Sequence, residues 1–380
     1  MTASRRISFP NLDGLRFFAF LSVFLFHSFY TKEAAVAQHQ VFQVLKTITR
    51  HGDLGVNLFF VLSGFLITYL LLNEKDLRGQ INIPAFYMRR VLRIWPLYFL
   101  MVFVGFVVFP FMKAHFGQTD YVEPARPWYY LTFLSNFNTL YYGSNTPTLT
   151  LLWSVAIEEQ FYLVWPLLVA LVPKRYMGWL FGGIIVASGA FRLCHLHDVG
   201  YLNLHTFSVI SDMAVGGAFA WLCYTQSAFT TQIGAWPQWL IALVYFLGII
   251  LIFNREILFI WPPYAAFDRL VLSVFFAFII LEQNYAQHSL FKMANWRFPS
   301  FWGTYTYGLY CWHFLTLLLA YQILHRLGAN KTAWGALLGD NLLGLSLALT
   351  VSWLSYHSYE KFFLKWKDKF AYVVRHDKAT

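Results

Sequence analysis

Apolar runs of about 20 residues recur along nearly the whole chain, each long enough as a helix for the ~30 Å of hydrocarbon in a bilayer. They fall near residues 13–31, 54–73, 93–112, 151–172, 176–194, 205–224, 236–253, 269–286, 302–324 and 334–357. The pattern predicts an all-α, polytopic membrane protein of about ten transmembrane helices. No internal repeat, low-complexity tract or soluble domain breaks the series, so residues 1–380 read as a single integral-membrane domain. The longest connections lie near 32–53 and 113–150.

Composition supports this reading and charge adds a direction. The chain is 58% hydrophobic and only 12% charged, about half the charged fraction of a soluble domain. Its net charge of +10 fits loop lysines and arginines that set topology, and no nucleic-acid partner is expected. With the N-terminus inside, most basic residues fall on the inner side, among them Lys75, Arg78, Arg89, Arg90, Arg93, Lys174, Arg175 and a basic tail over 360–380. Both termini are therefore expected in the cytoplasm; the loop with Arg326 and Lys331 fits least well. Cys194, Cys223 and Cys311 have no metal or redox spacing and read as small packing residues. The 12 histidines are scattered, with no two in one span at ligand spacing, so no metal site is expected.

Ionisable groups inside spans are costly, roughly 2.5–3.5 kcal/mol each on insertion scales, and so are functional candidates. Arg16 and His27 stand eleven residues apart, which returns both to one helix face about 16 Å apart. They could be a snorkelling arginine and a packing histidine, or a working pair. In "LLWSVAIEEQFYLVWPLL", Ser154, Glu158 and Tyr162 share a face while Glu159 points elsewhere. Glu158 is expected in the outer half of its span, level with His27, as a partner for the ring or as one half of a structural ion pair. In "FYMRRVLRIWPLYF", Arg89, Arg90 and Arg93 crowd one end of a span. They could anchor the helix or grip a polyanion such as a nucleotide diphosphate. "GVNLFFVLSGFLIT" places Ser63-Gly64 in mid-span, either for close helix packing or to clear space for an acyl chain. His313, Asp212 and Glu360 complete the set of polar residues in or beside spans.

The ordered blocks "NLDGLRFFAF…FH", "GVNLFFVLSGFLIT", "FYMRRVLRIWPLYF", "LLWSVAIEEQFY", "GTYTYGLYCWH" and "SYHSYEKFF" together resemble the acyltransferase 3 family of bacterial membrane proteins. The resemblance covers essentially the whole chain. It implies a multi-pass protein of the bacterial cytoplasmic (inner) membrane that moves an acyl group, usually acetyl, from cytoplasmic acyl-CoA to a hydroxyl of a glycan or lipid-linked saccharide outside. Acyl-CoA is then a co-substrate, and no cofactor is permanently bound. The resemblance also implies roles for Arg16 and His27 as the functional signature. It associates Arg90 and Arg93, with Arg89 beside them, with the CoA donor, and Ser154 and Glu158 with activity. Because the chain ends about twenty residues after its last run, the standalone form of the family is expected.

In the mechanism these residues support, acyl-CoA docks on Arg89, Arg90 and Arg93, with Arg16 reaching a phosphate or the pantetheine arm. His27 is the general base on the acceptor hydroxyl, and Glu158 orients it or balances its charge. Ser154 bonds the carbonyl or the acceptor, while Ser63, His313 and Tyr162 line or support the site. The rival reading is a proton-coupled transporter or flippase of a polar solute or lipid-linked sugar that uses the same buried charges. Such a protein would carry inverted repeats with matching broken helices, and none is evident in the sequence.

Overall fold

The computed structural model describes residues 9–115 and 120–370. Ten long helices form: α1 (Pro10–His27), α2 (Leu54–Arg78), α3 (Ile83–Phe103), α4 (Pro147–Leu171) and α5 (Met177–Cys194), then α6 (Thr206–Thr225), α7 (Gln238–Leu258), α8 (Asp268–Tyr285), α9 (Thr306–Arg326) and α10 (Asn341–Ser355). No strand occurs among the described residues. Nine helical segments among these residues are long and apolar enough to cross a membrane. The ten expected spans match these nine plus α1, which is 18 residues long and carries Asp13 and Arg16.

The helix ends follow local chemistry. Prolines occupy the first turns of α1, α3 and α4, where the missing N–H costs nothing. The Asn82 side chain caps α3 by accepting from the Ala85 amide. α4 starts at Pro147, one turn before the expected 151. Thr150, in its first turn, satisfies its own hydroxyl inside the helix by donating to the Thr146 carbonyl. Ser154 and Glu158 therefore stand one turn further from the start of their helix than the sequence pattern placed them.

Packing sets α1 and α2 at the centre. The buried face of α1 (Leu12, Leu15, Phe17, Phe20, Phe24) meets α2, α9 and the short helix Arg297–Gly303. α2 lies closely against α6, because a methyl group at Gly64 would collide with the Met213 carbonyl and one at Gly216 with the Val61 carbonyl. Gly64 therefore serves helix packing, not an acyl channel. Trp165 on α4 donates to Thr68 on α2 at 2.8 Å. Asp212 on α6 makes a buried ion pair with Arg269 on α8 at 2.6 Å, and Ser273 donates to it at 2.8 Å. α7, with few buried residues (Ile241 and Gly248), forms an edge of the bundle.

The basic tail expected over 360–380 is helical at Lys361–Lys367 and lies outside the described residues from 371 onward. The helical part packs on α3, and Arg89 donates to the Phe370 carbonyl at 2.8 Å.

Candidate functional site

A cavity of about 360 Å³ opens between α1, α2, α3, α4 and α9. Among the described residues five cations line it, Arg16, Arg89, Arg90, Arg93 and Lys367, against one lining carboxylate, Glu158. Ser63, Ser154, Tyr162, Tyr307 and Tyr310 supply hydroxyls, and Val56, Phe59, Phe60, Leu66 and Ile67 form the apolar wall. The helical spacing explains the convergence. Ser154, Glu158 and Tyr162 share one face of α4, as the sequence spacing required, while Glu159 turns away and accepts from the Trp95 indole at 2.8 Å. Arg89, Arg90 and Arg93 follow one another over a single turn of α3.

The cations are not equally committed. Arg16 pairs with Asp13 one turn back at 2.7 Å, and Arg89 with Glu74 at 3.0 Å. Arg90 has no ion pair among the described residues. Its guanidinium lies between the rings of Phe86 and Tyr162, at 5.4 and 5.3 Å, and its buried Nε has no hydrogen-bond partner. Such an orphaned cationic donor facing a cavity is suited to an anion.

The carboxylate of Glu158 accepts a 2.8 Å bond from Ser63, whose hydroxyl oxygen accepts from Tyr162 at 3.2 Å. The Ser154 and Tyr310 hydroxyls lie 2.7 Å apart at the end of the cavity away from the arginines. Three residues, about 4.5 Å, beyond Tyr310 lies His313, fully buried, with Nδ1 donating to the Tyr310 carbonyl at 2.7 Å. Its Nε2 is 3.1 Å from Nδ1 of His27. His27 is the last residue of α1, and its ring also packs on Phe26 and Phe314 at 5.0 and 4.9 Å.

This changes one sequence expectation. Glu158 is not the partner of His27. It sits a turn of α4 beyond Ser154 towards the arginines, and its hydrogen bond comes from Ser63. The partner of His27 is His313. The remaining expected site residues, Arg16, Arg89, Arg90, Arg93, Ser63, Ser154, Glu158 and Tyr162, all line one cavity. His27 and His313 lie beyond its wall.

A family model described as "Acyltransferase domain" matches residues 9–357. The chain belongs to the acyltransferase 3 family. The match runs from the residue before α1 into the turn after α10, so every long helix that forms the cavity lies inside it. Curated relatives include "Putative peptidoglycan O-acetyltransferase YrhL" of Bacillus subtilis (strain 168), 27% identical over 375 residues, which cover 93% of this chain and 54% of that protein. "Peptidoglycan O-acetyltransferase OatA" of Listeria monocytogenes is 26% identical over 354 residues, covering 87% of this chain and 52% of that protein. The chain thus spans about half the length of the curated relatives it matches. No solved structure matches.

Three features of this acyltransferase 3 site went beyond the sequence patterns. Tyr310, which closes the cavity against Ser154, and Lys367, which reaches it from the C-terminal helix, are distant in sequence from the residues they meet. The His27–His313 pair joins residues 286 positions apart. A signal is present for the last: His313 is one of four histidines within the predicted spans, with His27, His205 and His357, and a buried ring needs a partner.

Proposed function

We propose that the chain is an O-acyltransferase of the bacterial cytoplasmic membrane. On this reading it moves an acyl group, acetyl by default, from cytoplasmic acyl-CoA to a hydroxyl of an extracytoplasmic glycan. The names of the relatives favour peptidoglycan as the acceptor. The observation that carries the reading is the cavity with five cations and one carboxylate, formed by helices that also hold the histidine pair. A CoA phosphate group suits Arg90 and Arg93, and the cavity's apolar wall suits the pantetheine arm.

The chemistry then balances simply. The acceptor hydroxyl oxygen attacks the thioester carbonyl as its proton passes to His27. A C–O ester bond forms, the C–S bond breaks, and the leaving CoA thiolate takes up a proton, regenerating neutral imidazole. Ser154 and Tyr310 are placed to hydrogen-bond the carbonyl oxygen as it gains charge. With both termini in the cytoplasm, the arginines face the donor side and His27 lies towards the acceptor side.

The test is transfer of radiolabelled acetyl from acetyl-CoA to glycan in proteoliposomes, for wild type and His27→Ala. Loss of transfer in a folded variant is expected. Full transfer by His27→Ala would remove His27 as the base. Solute uptake driven by a proton gradient, without acyl transfer, would replace the reading with a transporter.

A further inference from the structure

We propose that His313 is the positioning residue of His27: it fixes the tautomer that leaves Nε2 of His27 as the proton acceptor. This rests on the reading of His27 as general base and supplies the group that aims it.

The tautomers follow from their partners. The Tyr310 carbonyl can only accept, so the His313 Nδ1 that lies 2.7 Å from it carries a hydrogen. In the neutral ring His313 Nε2 is then a bare lone pair, and it lies 3.1 Å from Nδ1 of His27. One of these two nitrogens must hold a hydrogen for a bond to exist, and the donor is therefore His27 Nδ1. A second contact agrees, since the same Nδ1 lies 3.0 Å from the Val23 carbonyl, again an acceptor only. With Nδ1 protonated, the lone pair of neutral His27 resides on Nε2.

The arrangement also serves the charged ring. When Nε2 of His27 takes the proton of an acceptor hydroxyl, the resulting imidazolium keeps its Nδ1–H between a carbonyl oxygen and an imidazole lone pair. Both stabilise the cation without a carboxylate. Among the described residues no carboxylate bonds either ring; the nearest catalytic candidate, Glu158, is bound to Ser63. In a low-dielectric interior this has a physical advantage, because a neutral acceptor carries no charge to desolvate when the base is idle. The ring of His313 is itself held, against Phe20 at 6.0 Å and by its own turn of α9. The chain Tyr310 carbonyl, His313, His27 thus starts from the residue whose hydroxyl meets Ser154 in the cavity.

The experiment compares wild type, His27→Ala, His313→Phe and His313→Gln in the proteoliposome transfer assay, with melting temperatures recorded for each. Phe keeps the ring volume but offers no acceptor, whereas the Gln carbonyl can accept from His27 Nδ1. His313→Phe should lower kcat about 10²-fold or more, leave the acyl-CoA KM within about two-fold, and displace the acid limb of the pH–rate profile. His313→Gln should recover a large part of that loss. Solid-state ¹⁵N spectra of histidine-labelled wild type, with the His27 signal identified by its loss in His27→Ala, should show Nδ1–H tautomers for both rings. An Nε2–H tautomer at His27 overturns the proposal, as does a His313→Phe variant with wild-type kcat and pH profile. If His27→Ala abolishes transfer while His313→Phe does not, the positioning role alone fails. If His27→Ala transfers normally, the base assignment fails and takes this inference with it.

Discussion

Arg90→Met separates a ligand-binding cation from a structural one. Methionine keeps most of the alkyl packing between Phe86 and Tyr162 but removes the charge and the fork. No carboxylate in the described structure pairs with Arg90, and its Nε is buried without a partner. Removing it therefore strands no partner. The lost cation–π contacts, about 0.5–2 kcal/mol, are offset by relief of a buried charge that has no ion pair among the described residues. The melting temperature is expected to stay within a few degrees. Binding should respond differently. Charge-assisted hydrogen bonds contribute about 1.5–3 kcal/mol, and each 1.4 kcal/mol is tenfold, so the acyl-CoA KM should rise roughly 10- to 100-fold with kcat little changed. Steady-state kinetics in proteoliposomes at several acyl-CoA concentrations, beside thermal melts in detergent, read both quantities. An unchanged KM, or a large loss of stability with no change in KM, would return Arg90 to a structural role and refute the anion-site assignment.

Gly64→Val should lower stability by about 1–3 kcal/mol or more, since its side chain points into the Met213 backbone; a melting temperature equal to wild type would show that α2 and α6 can separate cheaply. Asp212→Ala leaves Arg269 buried without its partner and should cost about 3–5 kcal/mol. The double variant Asp212→Ala with Arg269→Met should melt above the single one, and a double variant that melts no higher would refute this. At Glu123, burial pushes the carboxyl up, but hydrogen bonds from Thr146, Tyr121 and the Ala125 amide outweigh it and hold the group below the usual carboxylate range. A depressed folded pKa gives stability that is present above the unfolded value of about 4.3 and is lost as pH falls through the folded one. Glu123→Gln should therefore flatten the acid limb of melting temperature against pH, and an unaltered limb would show that other carboxylates govern it.

Much of this molecule was legible because lipid imposes simple constraints. Length and apolarity marked the ten helices, most of them to within a few residues, since every spanning backbone group must bond within its own helix; α3 is the exception, starting at Ile83, ten residues before the expected 93, so that Arg89 and Arg90 lie inside it. The i, i+4 spacing of Ser154 and Glu158 placed them on one wall correctly for the same reason. What the pattern could not carry was depth and pairing. The start of α4 at Pro147 lies in a polar, threonine-rich stretch that hydropathy assigns to a loop, so Glu158 stands at the middle of its helix and not near one end. The His27–His313 contact is tertiary. It depends on how α1 and α9 pack, through Phe20, Phe24 and Leu309, and no periodicity within either helix contains it.

Placing Glu158 among the arginines gives it a consequence opposite in sign to theirs. Among the described residues it is the one carboxylate lining the cavity, and its hydrogen bond comes from Ser63, with Tyr162 behind. Before the donor arrives it offsets part of the charge of Arg90 and Arg93; once a phosphate is bound it becomes a like charge nearby. At an effective dielectric near 20, screened further by solvent in an open cavity, such a term is of the order of 1 kcal/mol, or a few-fold in affinity. Glu158→Gln keeps the shape and an oxygen for Ser63 while removing the charge. Its acyl-CoA KM should therefore fall a few-fold where that of Arg90→Met rises, whatever happens to kcat. If both substitutions raise KM, Glu158 supports the binding of donor rather than opposing it, and the electrostatic picture of the cavity is wrong. If KM falls and kcat falls as well, the carboxylate opposes the donor's charge and also contributes to the chemical step through the Ser63–Tyr162 chain.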